Sequence, residues 1–299
     1  MTKSFRVGVV IPQLEIEHDA IAIKDFGQAL EGLGYDYIAA SDHIVGADST
    51  KRPGWQGLYD HTSSFHEPLV LFSYLAGVTR TLKFTAAVIV LPQRQTVLVA
   101  KQAANLDIFS QGRLDLGVGV GWNAVEFEAL GVPFSRRGAR IEDQIQLLRR
   151  LWTAPTLSAD TPYHKITDAG LNPLPIQRPI PIWLGGAVDA AVDRAARISD
   201  GWICFALSDQ AAEVTAGFRD RVKKAGRDPK AVKIENVSMV GSTMGAKPRS
   251  LEQAAMDAEL WRKAGADGVM FDTMRMGLKG GKGHIDVLRK IAENLKLKG

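Results

Sequence analysis

Residues Leu114–Asn123 read LDLGVGVGWN. Gly117, Gly119 and Gly121 fall on alternate positions, and Trp122 follows them. Glycine at every second position weakens a strand interior, because it packs nothing and costs backbone entropy. The stretch therefore marks a place where something comes close to the main chain. A dinucleotide loop is one candidate. Its fingerprint needs G-x-G-x-x-G between a strand and a helix, with an acidic residue about 20 positions on. The spacing here is G-x-G-x-G, and the following WNAVEFEALGVP gives only a brief helical pattern before Gly131 and Pro133. The first βα unit has no glycine loop either. The Rossmann reading fails. Two readings remain: a strand that ends in a tight glycine turn, or a strand end where a ligand touches the main chain.

Outward from this stretch, short β-rich runs alternate with helical patterns. Strands are predicted at FRVGVVI from Phe5, YDYIAA from Tyr35, LKFTAAVIVL from Leu82 and RLDLGVGV from Arg113. Four more follow at PIWLGG from Pro181, GWICFA from Gly201, VKIENVSMV from Val232 and GVMFDT from Gly268. Several are continuous apolar runs, as expected of parallel strands covered by helices. Helices are predicted over Ala20–Leu33, Pro68–Thr79, Val97–Ser110, Arg140–Trp152, Asp189–Ile198, Asp209–Ala225, Leu251–Ala264 and His284–Leu297. Strict βα alternation predicts right-handed crossovers and a parallel sheet. Eight such units, with no linker composition between them, favour a closed (β/α)8 TIM barrel as one domain over residues 1–299. Three connections are long for barrel loops: residues 44–65, 122–138 and 153–179. The first two leave the C-terminal ends of strands, where barrel active sites are built, so they are expected to form lids or walls.

Composition narrows the partners. The chain is 45% hydrophobic and 23% charged with a net charge of +4, ordinary for a globular protein. The densest basic group is Arg136, Arg137 and Arg140, too short a stripe for nucleic acid. One cysteine, Cys204, forms no internal disulfide. The apolar part of MTKSFRVGVVIP is too short for a signal sequence, so a cytoplasmic location is expected. No apolar run approaches the roughly 20 residues of a membrane helix.

A second glycine site, Gly185-Gly186, leads from the fifth strand into a helix. Free N–H groups and the dipole at a helix start suit a phosphate; a plain tight turn is the alternative. The fourth and fifth strands are neighbours in a barrel, so the two glycine-rich ends are placed to hold one phosphorylated cofactor. The second strand ends in Ser41-Asp42-His43. There His43 suits acid–base work or contact with a cofactor's polar edge, and Asp42 either orients it or binds the ligand; a loop pair that caps a turn is the other reading. His61 and His66 form no metal-ligand spacing. Trp55, Trp122 and Trp202 fall at the expected mouth, as packing or as walls for a flat ring.

In LGYDYIAASDH, VIVLPQR, AKQAANLDIFSQGRLDLGVGVGW, EFEALGVPFSRRGARIEDQIQLLRRLW, PIPIWLGG and RAARISDGW the chain resembles the bacterial luciferase-like superfamily. It resembles most the branch that uses the deazaflavin coenzyme F420. The matching motifs run in order from Gly32 to Trp202, and the C-terminal third matches only loosely. The resemblance implies a barrel with insertions, a homodimer, and a ring in the barrel mouth. The ring would lie on a bulge in the third strand with a cis peptide between Ala87 and Val88. It also implies a cofactor phosphate on main chain near Val120-Gly121 and Leu184-Gly185-Gly186, with Trp122 beside it. Asp42 and His43 match positions that contact the ring edge or act as acid–base groups. Related sugar-phosphate dehydrogenases carry a Glu where Trp122 stands, which points to a less polar substrate here. Gln95-Thr96 likewise replaces an expected His-Pro. The expected function is hydride transfer between F420 and a small organic substrate. The alternatives are an FMN-dependent monooxygenase served by a flavin reductase, and a non-catalytic cofactor-binding barrel.

Overall fold

The computed structural model describes residues 5–242 and 248–298. The strands are β1 (Arg6–Val10), β2 (Tyr37–Ala40), β3 (Lys83–Ala86), β4 (Ile89–Val90), β5 (Leu114–Gly119), β6 (Leu157–Asp160), β7 (Lys165–Ala169), β8 (Ile182–Gly185), β9 (Gly201–Cys204), β10 (Lys233–Met239) and β11 (Gly268–Asp272). The helices are α1 (Ala20–Gly32), α2 (Pro68–Val78), α3 (Thr96–Phe109), α4 (Ala124–Ala129), α5 (Arg137–Thr153), α6 (Asp189–Ile198), α7 (Ala211–Lys224), α8 (Leu251–Lys263) and α9 (Gly280–Leu295). Strands β1, β2, β3, β5, β8, β9, β10 and β11 pair in parallel in that order, and β11 closes onto β1. All eight predicted strands lie in this closed barrel.

Alternation along each strand explains the two layers. Val7, Val9, Ile38, Phe84, Leu116 and Leu184 face outward and pack under the helices in the main core. Val10, Tyr37, Ala39, Trp183, Ile203 and Met270 face inward and fill the lumen. The helices start where their sequences supply caps. Asp19 accepts the N–H groups of Ile21 and Ala22 at α1, and Ser250 and Gln253 form a capping box at α8. Among the described residues no helix is long and apolar enough to cross a membrane.

Three details depart from the sequence reading. The third strand, written as one run from Leu82, is two short strands, β3 and β4; they part at Ala87 and Val88, where the cis peptide bond that the resemblance implied is present. The connection 153–179, read as a loop, contains the antiparallel hairpin β6–β7. Its residues are mostly exposed, so burial left no alternating pattern to read. The connection 122–138 contains α4, capped by the Asn123 side chain.

Candidate active site

The C-terminal ends of the barrel strands form a mouth, and β2 builds one side of it. Ala40, Ser41 and Asp42 grip the step between β3 and β4. The Ala40 carbonyl accepts the Ala87 N–H at 2.8 Å. Ser41 Oγ donates to the Ala87 carbonyl at 3.3 Å. Asp42 Oδ2 accepts the Val90 N–H at 2.9 Å. Arg94 then clamps Asp42, with Nη2 at 2.8 Å from Oδ1 and Nε at 3.3 Å from Oδ2. Its Nη1 binds Glu67 at 2.7 Å. Burial raises the Asp42 carboxyl above its usual range, and Arg94 opposes that rise. Both Asp42 oxygens are thus engaged in holding the step in place.

His43 is oriented by a different carboxylate. Its Nδ1 lies 2.9 Å from Glu126 Oε1, and Glu126 Oε2 accepts from Gln93 Nε2 at 2.9 Å. A carboxylate partner fixes the hydrogen on Nδ1, so Nε2 is the atom left for a ligand. No group among the described residues bonds Nε2. The imidazole is walled by Tyr59, Phe65 and Trp122, at centroid distances of 4.9, 4.6 and 5.7 Å. A cavity of about 70 Å³ lies beside it, between Tyr59, Phe65 and Asn123. The expectation that Asp42 orients His43 is corrected: Glu126 does so from α4. The missed signal was Asn123-Ala-Val-Glu126, which reads as a cap followed by a glutamate in the first turn. The structure turns that glutamate inward, fully buried.

The glycines answer to the step on β3. A Cβ on Gly117 would stand 1.7 Å from the Ala86 carbonyl oxygen. Val88 sends one γ-methyl toward Gly119 and the other toward Gly185; a Cβ there would approach them to 2.5 and 2.7 Å. What comes close to these backbones is first the neighbouring strand. Gly121 has φ +72°, and its carbonyl accepts from Arg137 Nε at 3.2 Å. The Gly186 carbonyl accepts from Trp202 Nε1 at 2.9 Å, and no side chain caps α6 just beyond. Leu184 points to the helix layer, so only its main chain borders the mouth. Val120 packs against the same outer core. Trp122 is 43% exposed and lies 6.1 Å from Trp55. Ala87 and Val88 join Leu14 and Met239 over the inward cluster of Val10, Ala39, Met270 and Met274, giving an apolar bed. Main chain borders this bed on one side and the β2 end that carries His43 on another.

The opposite side carries a group absent from the sequence reading. Asp272 ends β11, pairs in register with Val10 and Met239, and shares the inward face of Met270. Burial pushes its carboxyl up to about 6. The alternation Met270, Asp272 within GVMFDT was the available clue. Arg275 lies 5.4 Å over the Tyr59 ring, so the 44–65 connection spans from His43 to the β11 side.

A second cavity, about 750 Å³, shares no residue with this mouth. It lies between the start of α3, Arg140 and the hairpin end. Thr96 Oγ1, His164 and Asp143 form a chain there, at 2.6 and 2.5 Å. Gln144 Nε2 also donates to Thr96 Oγ1 at 3.0 Å, so this chain pins the hairpin to the two helices. Among the described residues no group of three or more His, Cys, Asp or Glu side chains is placed to hold a metal ion.

The chain is 34% identical over 208 residues to an FMNH2-dependent dimethylsulfone monooxygenase of Pseudomonas putida, covering 68% of this chain and 55% of that one. It is 29% identical over 261 residues to an F420-dependent hydroxymycolic acid dehydrogenase of Mycobacterium tuberculosis, covering 86% and 66%. An F420-dependent secondary alcohol dehydrogenase, solved with an F420–acetone adduct, superposes with a TM-score of 0.79 over 98% of this chain and 99% of that one, at 14% identity. Residues 7–289 match the luciferase-like monooxygenase family, and the chain belongs to that family.

Proposed function

We propose that this protein is an oxidoreductase that transfers a hydride between coenzyme F420 and a small organic substrate. His43 carries this reading: Glu126 holds its Nδ1, and its Nε2 is left free at the barrel mouth. The bound deazaflavin supplies the hydride chemistry. The chain's own residues bed the ring, place a donor or acceptor at its edge and exclude water. Ala87 and Val88 form the bed, and His43 Nε2 is the edge contact. Asp42 acts through the step it holds, so it is a positioning residue. The main chain at Val120-Gly121 and Leu184-Gly185-Gly186 takes the cofactor phosphate, with Trp122 as the adjoining wall. The ordered motifs of the F420 branch and the hydroxymycolic acid dehydrogenase relative favour F420. The dimethylsulfone monooxygenase relative favours a second reading, in which FMN, oxygen and a flavin reductase partner serve the same mouth.

Fluorescence titration with F420 and with FMN tests the choice. The proposal expects F420 to bind well below ~100 μM and more tightly than FMN. No F420 binding in that range, with tight binding of reduced FMN and oxygen uptake, would select the second reading. A homodimer belongs to the same proposal: Val70 on α2 and Leu98 and Phe109 on α3 are exposed apolar side chains.

A further inference from the structure

We propose that Asp272 is the substrate anchor of the mouth, and that the substrate is a largely apolar molecule bearing a hydroxyl group. The inference rests on the mouth being the substrate site. Register fixes where the carboxylate points: Asp272 stands between Val10 and Met239 on the inward face. It is only 7% exposed. Oδ1 accepts the Met274 N–H at 2.9 Å, and among the described residues Oδ2 takes no hydrogen bond. Among the described residues no lysine or arginine forms an ion pair with it.

An ionised carboxylate accepts hydrogen bonds and donates none, so an inward one selects a ligand with a donor. Val10, Leu14, Val88, Met239, Met270 and Met274 make the bed on this inward face apolar. A hydroxyl suits the site better than an ammonium group. The Arg275 guanidinium, which acts on both Asp272 and Tyr59, already supplies positive charge nearby. Glu15 also acts on Asp272, but it is committed to the Arg275 N–H at 2.8 Å and lies 3.1 Å from His284 Nε2. Among the described residues Arg275, Glu15 and Tyr59 are therefore the charged or titratable groups that bear on Asp272. The arrangement puts a hydroxyl-bearing carbon over the bed at the β11 side, facing His43 across the mouth.

The test measures calorimetric affinity for a matched pair of probes, cyclohexanol and cyclohexyl methyl ether, with and without F420. At pH 7.5 the wild-type protein should prefer the alcohol about tenfold, the scale of a hydrogen bond to a charged acceptor. Asp272→Leu should reduce the preference to within about twofold and leave ether affinity unchanged; Asp272→Asn should fall between. As pH drops through about 6, the wild-type preference should fade, because a protonated carboxyl loses the charge-assisted bond. Equal affinities for the two probes in wild type, no binding of either, or a preference that survives Asp272→Leu would each overturn the inference. An alcohol preference in a protein that binds no F420 would keep the anchor and sink the cofactor proposal. F420 binding without the preference would do the reverse.

Discussion

At the lower end of the lumen Arg6 lies 2.8 Å from Asp115 and 3.3 Å from Glu235, under the rings of Tyr37 and Trp183. At the upper end Asp272 faces the same lumen; among the described residues no cation forms an ion pair with it, although Arg275 acts on it, and His43 Nε2 takes no hydrogen bond. Both ends bury charge in a narrow apolar tube. Below, opposite charges and aromatic faces close on one another, and burial still raises the Glu235 carboxyl. Above, hydrogen-bonding capacity is left open. In a (β/α)8 barrel the lower face serves stability and the upper face chemistry. The two ends of this lumen divide along that line.

The largest effect should come from the lower end. Arg6→Ala leaves Asp115 and Glu235 buried without their cation, and a loss of about 3–5 kcal/mol in urea unfolding is expected. F420 affinity of the folded fraction should be unchanged. A loss under about 1 kcal/mol would dissolve the contrast between the two ends.

Next comes Asp272→Asn, with the opposite sign. Burial pushes the folded carboxyl up to about 6, above the roughly 3.9 of a free aspartate. Wild-type stability is therefore full below the lower value and falls as pH rises through that window. Asparagine escapes the loss. The variant should gain about 2–3 kcal/mol at pH 7.5, and the gain should vanish below about pH 4. Melting curves across pH check it; a gain independent of pH would mean the carboxylate is not desolvated. A site group whose removal stabilises the fold is expected where function has set its placement.

Gly117→Ala should cost about 1–3 kcal/mol, because the Ala86 carbonyl must yield. The displaced step should also weaken F420 binding. Gly217, inside α7 with open space around it, gives the control. There Ala should stabilise by about 0.5–1 kcal/mol. Equal outcomes at the two glycines would refute close approach as the reason for the alternation.

These contrasts also mark what the sequence carried. Continuous apolar runs and their spacing were enough for the eight barrel strands, because burial on both faces writes itself into every position. His43 and the glycine ends were readable because strand ends are fixed by the same pattern. The partner of His43 was not, since Glu126 reaches it across 83 residues from a six-residue helix. Asp42 read as reactive because its clamp, Arg94, is 52 residues away. The glycine alternation was legible as close approach, but whether ligand or protein does the approaching depends on Val88, whose place between β5 and β8 only the closed barrel sets. Asp272 hid inside an apolar strand, where a single carboxylate carries little pattern.

The most direct test is a crystal structure of the protein soaked with F420. The account predicts ring density over Ala87 and Val88, with His43 Nε2 at the ring edge and the phosphate against the main chain at Gly121 and Gly186. Ring density in the 750 Å³ cleft beside Arg140 and His164, with an empty mouth at saturating cofactor, would contradict it.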